Sequence, residues 1–221
     1  MSTQSDRRGF PTPAQQRDFD KESQTWDEEP RRVKLADDVT TAILKTVRLT
    51  RDMDVLDYGC GTGLLTLRLQ PLVHTITGVD TSRGMIDVLM EKIKKHKLAN
   101  IQTEFLDIEK GEQLKGRFHL ITCAMTMHHI PDLERLFEQF YERLLPGGYL
   151  CMADIDSDGG KFHKDNTGVF HPGFDRLHLK SLLIQQGFHD VHDMTAATID
   201  KSTPDEGSQI FTVFLMTAVV S

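Results

Sequence analysis

Three glycines stand at every second position after a short apolar run, in the segment VLDYGCGTG from Val55 to Gly63. Glycine has no Cβ, so the backbone at Gly59, Gly61 and Gly63 can turn tightly and lie against a ligand. A buried strand that feeds such a loop, followed by the helical pattern LLTLRLQ, presents unpaired backbone N–H groups and a helix N-terminus to a crevice. This chemistry suits a nucleotide-type cofactor, and a tight turn between packed elements is the structural alternative.

An acidic residue ends the next apolar run, where Asp80 stands in TGVDTS. A carboxylate at a strand end can accept charge-assisted hydrogen bonds from both hydroxyls of a ribose. Capping of the following helix is the alternative, for which Thr81 or Ser82 is the better candidate. Asp107 ends a later run in EFLDIE, and taken alone such a residue is more often a turn former.

The glycine spacing is G-x-G-x-G, one residue shorter than the dinucleotide fingerprint G-x-G-x-x-G. With Asp57 two positions ahead of Gly59, the segment resembles the first motif of class I S-adenosylmethionine-dependent methyltransferases. The resemblance covers about residues 19–217. It implies that the loop wraps the amino-acid end of S-adenosyl-L-methionine, and that the product of the cofactor is S-adenosyl-L-homocysteine.

The same resemblance gives the remaining cofactor residues. Asp107 accepts from the adenine amino group beside an apolar wall from Ile108, whereas Met85 either lines the adenine or packs in the core. The implied cofactor set consists of Asp57, Gly59, Cys60, Gly61, Gly63, Asp80, Thr81, Met85, Asp107, Ile108 and Cys123, with Trp26 as a cover.

Two adjacent histidines stand in CAMTMHHIPD, from Cys123 to Asp132. This segment resembles the L-H-H or L-E-H stretch of small-molecule methyltransferases of the ubiquinone-biosynthesis type, with Met127 in place of the leucine. Because neighbours in regular structure point in different directions, His128 and His129 are not both expected to face the pocket. Either one is a candidate proton acceptor, with His128 the better candidate, and a structural role is the alternative.

Two flanking segments are predicted to shape the acceptor pocket. The segment Phe19–Arg32, called the lid segment below, resembles the entry helix that closes over the cofactor in these enzymes, and a helix anchored to the core is the alternative. The segment Asp156–Asp175, called the acceptor loop below, is long and glycine-rich, which is typical of a binding loop. The predicted acceptor-pocket residues are Met127, His163, Phe170 and His171. The histidines lack metal-ligand spacing, so no metal is predicted.

Apolar runs alternate with helical periodicity, which predicts an α/β fold. The expected architecture is a Rossmann-like, doubly wound, mostly parallel seven-stranded sheet with an antiparallel C-terminal hairpin. The predicted strands are Val55–Tyr58, Val73–Val79, Ile101–Phe105, Phe118–Cys123, Tyr149–Ile155, Asp190–Thr195 and Gln209–Thr217. Residues 1–18 are predicted to be a flexible arm, and residues 19–221 a single methyltransferase domain with an N-terminal lid helix at about 19–50.

Net charge, cysteine content and hydropathy limit the classes of function that the chain can have. The chain has 221 residues and a formal net charge of −7, without the basic stripe that nucleic acid requires. Its three cysteines lack paired spacing, and no signal-type or membrane-spanning segment is visible, so a cytoplasmic protein without a membrane partner is expected. The leading hypothesis is metal-independent, in-line methyl transfer to O, N, S or C of a small molecule, by a monomer or homodimer. A protein methyltransferase and a non-catalytic cofactor-binding module are the alternatives.

Overall fold

The computed structural model describes residues 17–163, 165–203 and 207–221. The arm predicted for residues 1–18 therefore lies almost wholly outside the described residues. Seven strands form one sheet in the order β3-β2-β1-β4-β5-β7-β6. The strands are β1 Asp54–Tyr58, β2 Thr75–Asp80, β3 Ile101–Phe105, β4 Phe118–Ala124, β5 Leu144–Ile155, β6 His189–Thr203 and β7 Gly207–Val219.

Strands β1 to β5 pair in parallel, and β7 pairs antiparallel with both β5 and β6. This confirms the predicted mostly parallel sheet with an antiparallel C-terminal hairpin. Tyr58 at the end of β1 aligns with Val79 in β2 and with Cys123 in β4. The strand order reverses between β1 and β4, and ligands of such sheets bind at the carboxyl ends beside this reversal.

Over the residues that the structure describes, six α-helices cover the sheet: α1 Phe19–Glu22, α2 Pro30–Thr46, α3 Thr66–Leu69, α4 Arg83–His96, α5 Leu133–Arg143 and α6 Arg176–Gln185. Two apolar layers result, because alternate residues of a strand point to opposite faces. Leu56 belongs to the layer that includes Phe137 and Phe140 of α5, and Val55 to the layer under α2. No helix within the described ranges is long and apolar enough to cross a membrane.

Three details differ from the sequence-based expectations. The predicted lid helix at about 19–50 is interrupted: α1 is followed by a 3-10 turn at Ser23–Glu28, and α2 begins at Pro30. The residue before a proline avoids helical geometry, and Glu29 is extended at φ −84° and ψ 107°. The fifth strand, predicted to begin at Tyr149, begins at Leu144, directly after α5 ends at Arg143.

The C-terminal hairpin is also longer than predicted. Ile155, the last paired residue of β5, aligns with Val213, whereas β6 and β7 continue to pair as far as Thr203 and Gly207. The hairpin therefore projects past β5 on the side of the sheet where the carboxyl ends lie. Its residues Ile199 and Phe211 pack in the same apolar layer as α2.

Candidate cofactor and acceptor site

The glycine loop adopts the backbone conformation that only glycine takes without strain. Gly59, Gly61 and Gly63 have φ values of +70°, +54° and +85°. A Cβ on Gly59 would lie 2.2 Å from Thr126 Oγ1, and one on Gly63 would lie 2.4 Å from a methyl carbon of Leu89. A Cβ on Gly61 would meet only the Met85 sulfur, at 3.9 Å. Gly59 and Gly63 are thus packed inside the protein, and Gly61 forms the open edge of the loop.

Asp57 lies beneath this loop and holds it. Its carboxylate is buried and accepts hydrogen bonds from Thr66 Oγ1 at 2.6 Å and Thr122 Oγ1 at 2.9 Å. Burial raises the pKa of Asp57 to about 6, and the two hydroxyl donors act in the opposite direction. The motif residue therefore joins β1 to α3 and β4. Thr66 and Thr122 could not be predicted as partners of Asp57, because hydroxyl residues nine and 65 positions away give no local signal.

Asp80 lies at the end of β2, as predicted. Its carboxylate oxygens accept the backbone N–H groups of Gly61 and Ser82, each at 2.8 Å. Burial raises the pKa of Asp80, while these backbone donors favour the charged form. Each carboxylate oxygen has a further lone pair for a ligand hydroxyl. Ser82 caps α4 by accepting from the N–H of Met85. The capping role, which was the alternative for Asp80, therefore belongs to Ser82.

The remaining predicted cofactor residues differ in their surroundings. Met85 is buried beside the open edge of the glycine loop, and Thr81 is exposed next to Asp80. Asp107 caps the turn Ile108–Lys110 by accepting from the N–H of Glu109 at 3.0 Å. Three of the predicted side chains, those of Cys60, Ile108 and Cys123, are buried in apolar clusters.

The lid segment is attached to both the glycine loop and α4. Asp20 accepts from Ser82 Oγ at 2.5 Å and from the N–H of Gly84 at 2.9 Å. Asp27 accepts from Thr62 Oγ1 at 2.6 Å and forms an ion pair with Lys92. These two aspartates place the lid segment across the crevice, and neither was singled out from the sequence.

Trp26 is half-buried in the lid segment. The guanidinium carbon of Arg32 lies 3.6 Å from the centre of its ring, and Arg32 also donates to the Trp26 carbonyl at 3.1 Å. The ring of Phe19 packs edge-on against Trp26 at 6.0 Å and against the imidazole of His129 at 5.1 Å. The lid segment thus extends from α4 to His129.

The segment Met127–His129, called the histidine turn below, follows β4. Its His128 forms a buried pair with Asp154. His128 Nδ1 donates to Asp154 Oδ1 at 2.7 Å, and the backbone N–H of His128 donates to the second carboxylate oxygen at 3.3 Å. Both side chains are buried. Asp154 is the next-to-last residue of the predicted fifth strand, and no local sequence pattern pairs it with His128.

The two adjacent histidines lie on a 3-10 turn, with their rings close together and bonded to different partners. The imidazole centres of His128 and His129 are 4.1 Å apart, and that of His163 lies 5.0 Å from His128. Burial, followed by the proximity of His128, lowers the pKa of His129 to about 3. His129 is therefore neutral at pH 7 and unsuited to a role that needs it charged.

Two histidines fix the acceptor loop to this turn. His129 Nδ1 donates to the carbonyl of Gly168 at 2.7 Å, and His171 Nε2 donates to the carbonyl of Ile130 at 2.8 Å. The backbone N–H of Phe170 donates to the carbonyl of His128 at 2.9 Å. These bonds give His129 and His171 a structural explanation, and they hold Phe170 next to the His128 backbone.

The ends of the acceptor loop are closed by an ion pair. Arg176 donates two hydrogen bonds to Asp156, both at 2.7 Å, and Thr212 donates to the same carboxylate at 2.6 Å. Met127, predicted to line the acceptor pocket, is fully buried in the core and forms the base of the turn instead. Among the described residues, no group of three or more His, Cys, Asp or Glu side chains is arranged to hold a metal ion.

Comparison with known proteins places these features in a family. The profile of the methyltransferase domain family matches residues 28–193. The chain is 34% identical over 127 residues to an uncharacterized methyltransferase of Schizosaccharomyces pombe, covering 54% of this chain and 43% of that protein. It is 37% identical over 102 residues to the ubiquinone biosynthesis O-methyltransferase of Coxiella burnetii, covering 46% of this chain and 43% of that protein.

The chain thus spans less than half the length of the curated relatives that it matches. Its fold resembles that of phosphoethanolamine N-methyltransferase 2 from Haemonchus contortus in complex with S-adenosyl-L-methionine. The TM-score is 0.66 at 18% identity, over 82% of this chain and 52% of that one. The family profile covers most of the sequence, and the glycine loop, Asp57 and Asp80 lie at the carboxyl edge of the sheet. The chain therefore belongs to the methyltransferase domain family.

Proposed function

We propose that the chain binds S-adenosyl-L-methionine at the glycine loop and transfers its methyl group to a small-molecule acceptor beside His128. The observation that carries this proposal is the buried His128–Asp154 pair at the carboxyl ends of β4 and β5. Thr126, two residues before His128, packs on Gly59. A candidate base therefore adjoins the candidate cofactor loop.

The residues present fit the cofactor. Gly61 leaves open space where a side chain would stand, and the Asp80 carboxylate next to it matches a ribose. Asp57, through Thr66 and Thr122, holds the loop in this shape. When bound, the cofactor supplies an electrophilic methyl group on a sulfonium, whose departure needs no acid.

The chain's own residues would orient the acceptor and remove its proton. Because Asp154 accepts from Nδ1 of His128, the tautomer with hydrogen on Nδ1 is favoured, and Nε2 becomes the basic site of the ring. Such a base serves an acceptor hydroxyl, thiol or ammonium, each of which must lose a proton. Holding the two reactants in line contributes a large share of the rate enhancement by itself.

A small acceptor is supported by the closed arrangement of the surrounding segments. The lid segment is bonded to Thr62 and Ser82, and the acceptor loop is bonded to the histidine turn. These bonds favour an enclosed site over the open groove that a protein substrate needs. The names of the Coxiella burnetii and Haemonchus contortus proteins, which refer to ubiquinone biosynthesis and phosphoethanolamine, agree with a small acceptor.

The test is incubation with methyl-labelled cofactor and a metabolite extract, followed by mass spectrometry of the products. We expect His128→Ala and Asp154→Asn to lower turnover about 10² to 10⁴-fold, since each removes the positioned base. Affinity for S-adenosyl-L-homocysteine should not change. His96→Ala, on the exposed last turn of α4, is the control and should keep full turnover. Unchanged turnover in His128→Ala would remove the base from the proposal.

A further inference from the structure

A group of side chains around His163 is not used by the mechanism above. The His163 ring lies 5.0 Å from that of His128 and packs edge-on against Phe162, with 4.9 Å between ring centres. Its Nε2 atom is buried and has no hydrogen-bond partner within the described part of the chain. Buried polar atoms in native proteins are normally satisfied, so this nitrogen marks a place for an atom of a ligand.

Two cations lie over aromatic rings in the vicinity of His163, whose own ring centre is 6.0 Å from that of His129. On the hairpin, Lys201 Nζ lies 3.9 Å from the centre of the Phe162 ring. Ahead of the lid segment, the guanidinium carbon of Arg17 lies 5.2 Å from the Phe19 ring, which packs on His129. Burial and the neighbouring His128 lower the pKa of His163 to about 4, with further contributions from Lys201 and Arg17. His163 is therefore a neutral hydrogen-bonding group at pH 7, with one cation on the hairpin and another ahead of the lid segment.

Two guanidinium groups lie near the Glu22 carboxylate on the lid side. Arg17 donates two hydrogen bonds to Glu22, at 2.6 and 2.7 Å, and Arg32 lies 3.5 Å from the same carboxylate. On the acceptor loop, the Asp158 carboxylate accepts hydrogen bonds from the backbone N–H groups of Gly160 and Phe162. A cationic site in a chain of net charge −7 is a local feature and not a consequence of composition.

We propose that the methyl acceptor is an anion, whose carboxylate or phosphate group lies between Arg17 and Lys201 while a neighbouring polar atom bonds to His163. Three separate elements, the start of the lid, the acceptor loop and the hairpin, contribute to this subsite. The inference rests on the proposed function, because it places the acceptor beside His128. It adds the chemical class of the acceptor, which the sequence did not indicate.

The experiment measures binding of matched probes to the full chain loaded with S-adenosyl-L-homocysteine. The carboxylate pair is 4-hydroxybenzoate and 4-hydroxybenzamide, and the phosphate pair is phenyl phosphate and phenol. By calorimetry, the anionic member of at least one pair is expected to bind about tenfold or more tightly than its neutral partner. The pair that shows the preference identifies the anion. If neither pair shows a preference, the proposal is overturned.

Charge-neutralising variants locate the subsite. Arg17→Gln and Lys201→Gln should each remove most of the preference, whereas Arg31→Gln and Lys115→Gln should preserve it. The two controls are exposed cations that pair with Glu29 and Glu104. Because Arg17 adjoins the lid and Lys201 lies on the hairpin, displacement of the lid alone does not explain loss in both variants. An equal preference in Lys201→Gln and the unmodified chain contradicts the proposal.

The failure of this inference and the failure of the proposed function are distinguishable. Methyl transfer to an acceptor without negative charge would refute the anionic subsite and leave the methyltransferase activity in place. Preference for the anionic probe without methyl transfer to any acceptor would refute the activity and leave the subsite in place.

Discussion

At the scale of single residues, the three loop glycines have different roles although they share one motif. Gly59 must be glycine because Thr126 occupies the position of its side chain, and Gly61 because the space beside it is open toward the crevice. Asp80 accepts a hydrogen bond from the Gly61 N–H, and in the proposed function its carboxylate also binds the ribose. Under that proposal, cofactor binding and loop shape depend on the same atoms.

Alanine substitutions separate these roles. Gly61→Ala should cost about 1 to 2 kcal/mol of folding stability, from the positive φ alone, yet abolish measurable binding of S-adenosyl-L-homocysteine because the methyl group fills the open edge. Gly59→Ala combines the same backbone strain with a 2.2 Å contact to Thr126, so its loss of stability should be clearly larger. Chemical denaturation and calorimetry measure both effects. Equal destabilisation by the two substitutions, with binding kept in Gly61→Ala, would show that Gly61 does not face the cofactor.

At the scale of elements, the lid segment is positioned by a glycine in the first turn of α4. A Cβ on Gly84 would lie 2.8 Å from Ser23 Oγ and 2.9 Å from the backbone of Asp20. Gly84 lies in α4, where any residue can adopt the backbone conformation. Glycine is needed here because a side chain would collide with the lid segment. Alanine at a helical position is otherwise favourable by about 1 kcal/mol.

Gly84→Ala should therefore release the lid without unfolding the domain. We expect faster amide hydrogen exchange at residues 19–29, weaker cofactor binding, and an unchanged or slightly higher unfolding midpoint. Met90→Ala, at an exposed position of the same helix, is the control. If exchange in the lid segment is the same in both variants, Gly84 does not position the lid.

At the scale of the whole molecule, the histidines near the site should make stability depend on pH. Burial lowers the pKa of His129 to about 3 and that of His163 to about 4, from ordinary values of 6.5. Between pH 6.5 and 4 the unfolded chain therefore binds more protons than the folded one, so stability falls as pH falls. Asp57, with its pKa raised to about 6, acts in the opposite direction between pH 6 and 4.

Urea unfolding at a series of pH values tests this balance. His163→Phe keeps a ring in place but removes one titrating group, so its stability should fall less steeply below pH 6.5 than that of the unmodified chain. His178→Phe, at an exposed position of α6, should leave the slope unchanged. Identical slopes in the His163 variant and the unmodified chain would mean that His163 titrates normally in the folded protein.

Local patterns predicted most of the fold and drew attention to part of the candidate site. The glycine loop, Asp57 and Asp80 are recognisable because strand, turn and acid are consecutive in sequence, and the sheet follows from alternating periodicities. Contacts across the sheet were not predictable in this way. Asp154 meets His128 from a neighbouring strand, and His163 arrives on a loop whose position depends on Arg176. Met127 was misplaced because its position in a motif does not indicate which way a 3-10 turn faces.

The central claim is that the open edge at Gly61 and the carboxylate of Asp80 hold the cofactor. A crystal structure of the full chain with S-adenosyl-L-homocysteine tests it most directly. The expected result is a ribose within hydrogen-bond distance of Asp80, with the amino-acid end of the ligand over Gly61 and its sulfur toward the His128 side. Density for the ligand elsewhere, with the crevice between the glycine loop and the lid segment empty, would contradict the account.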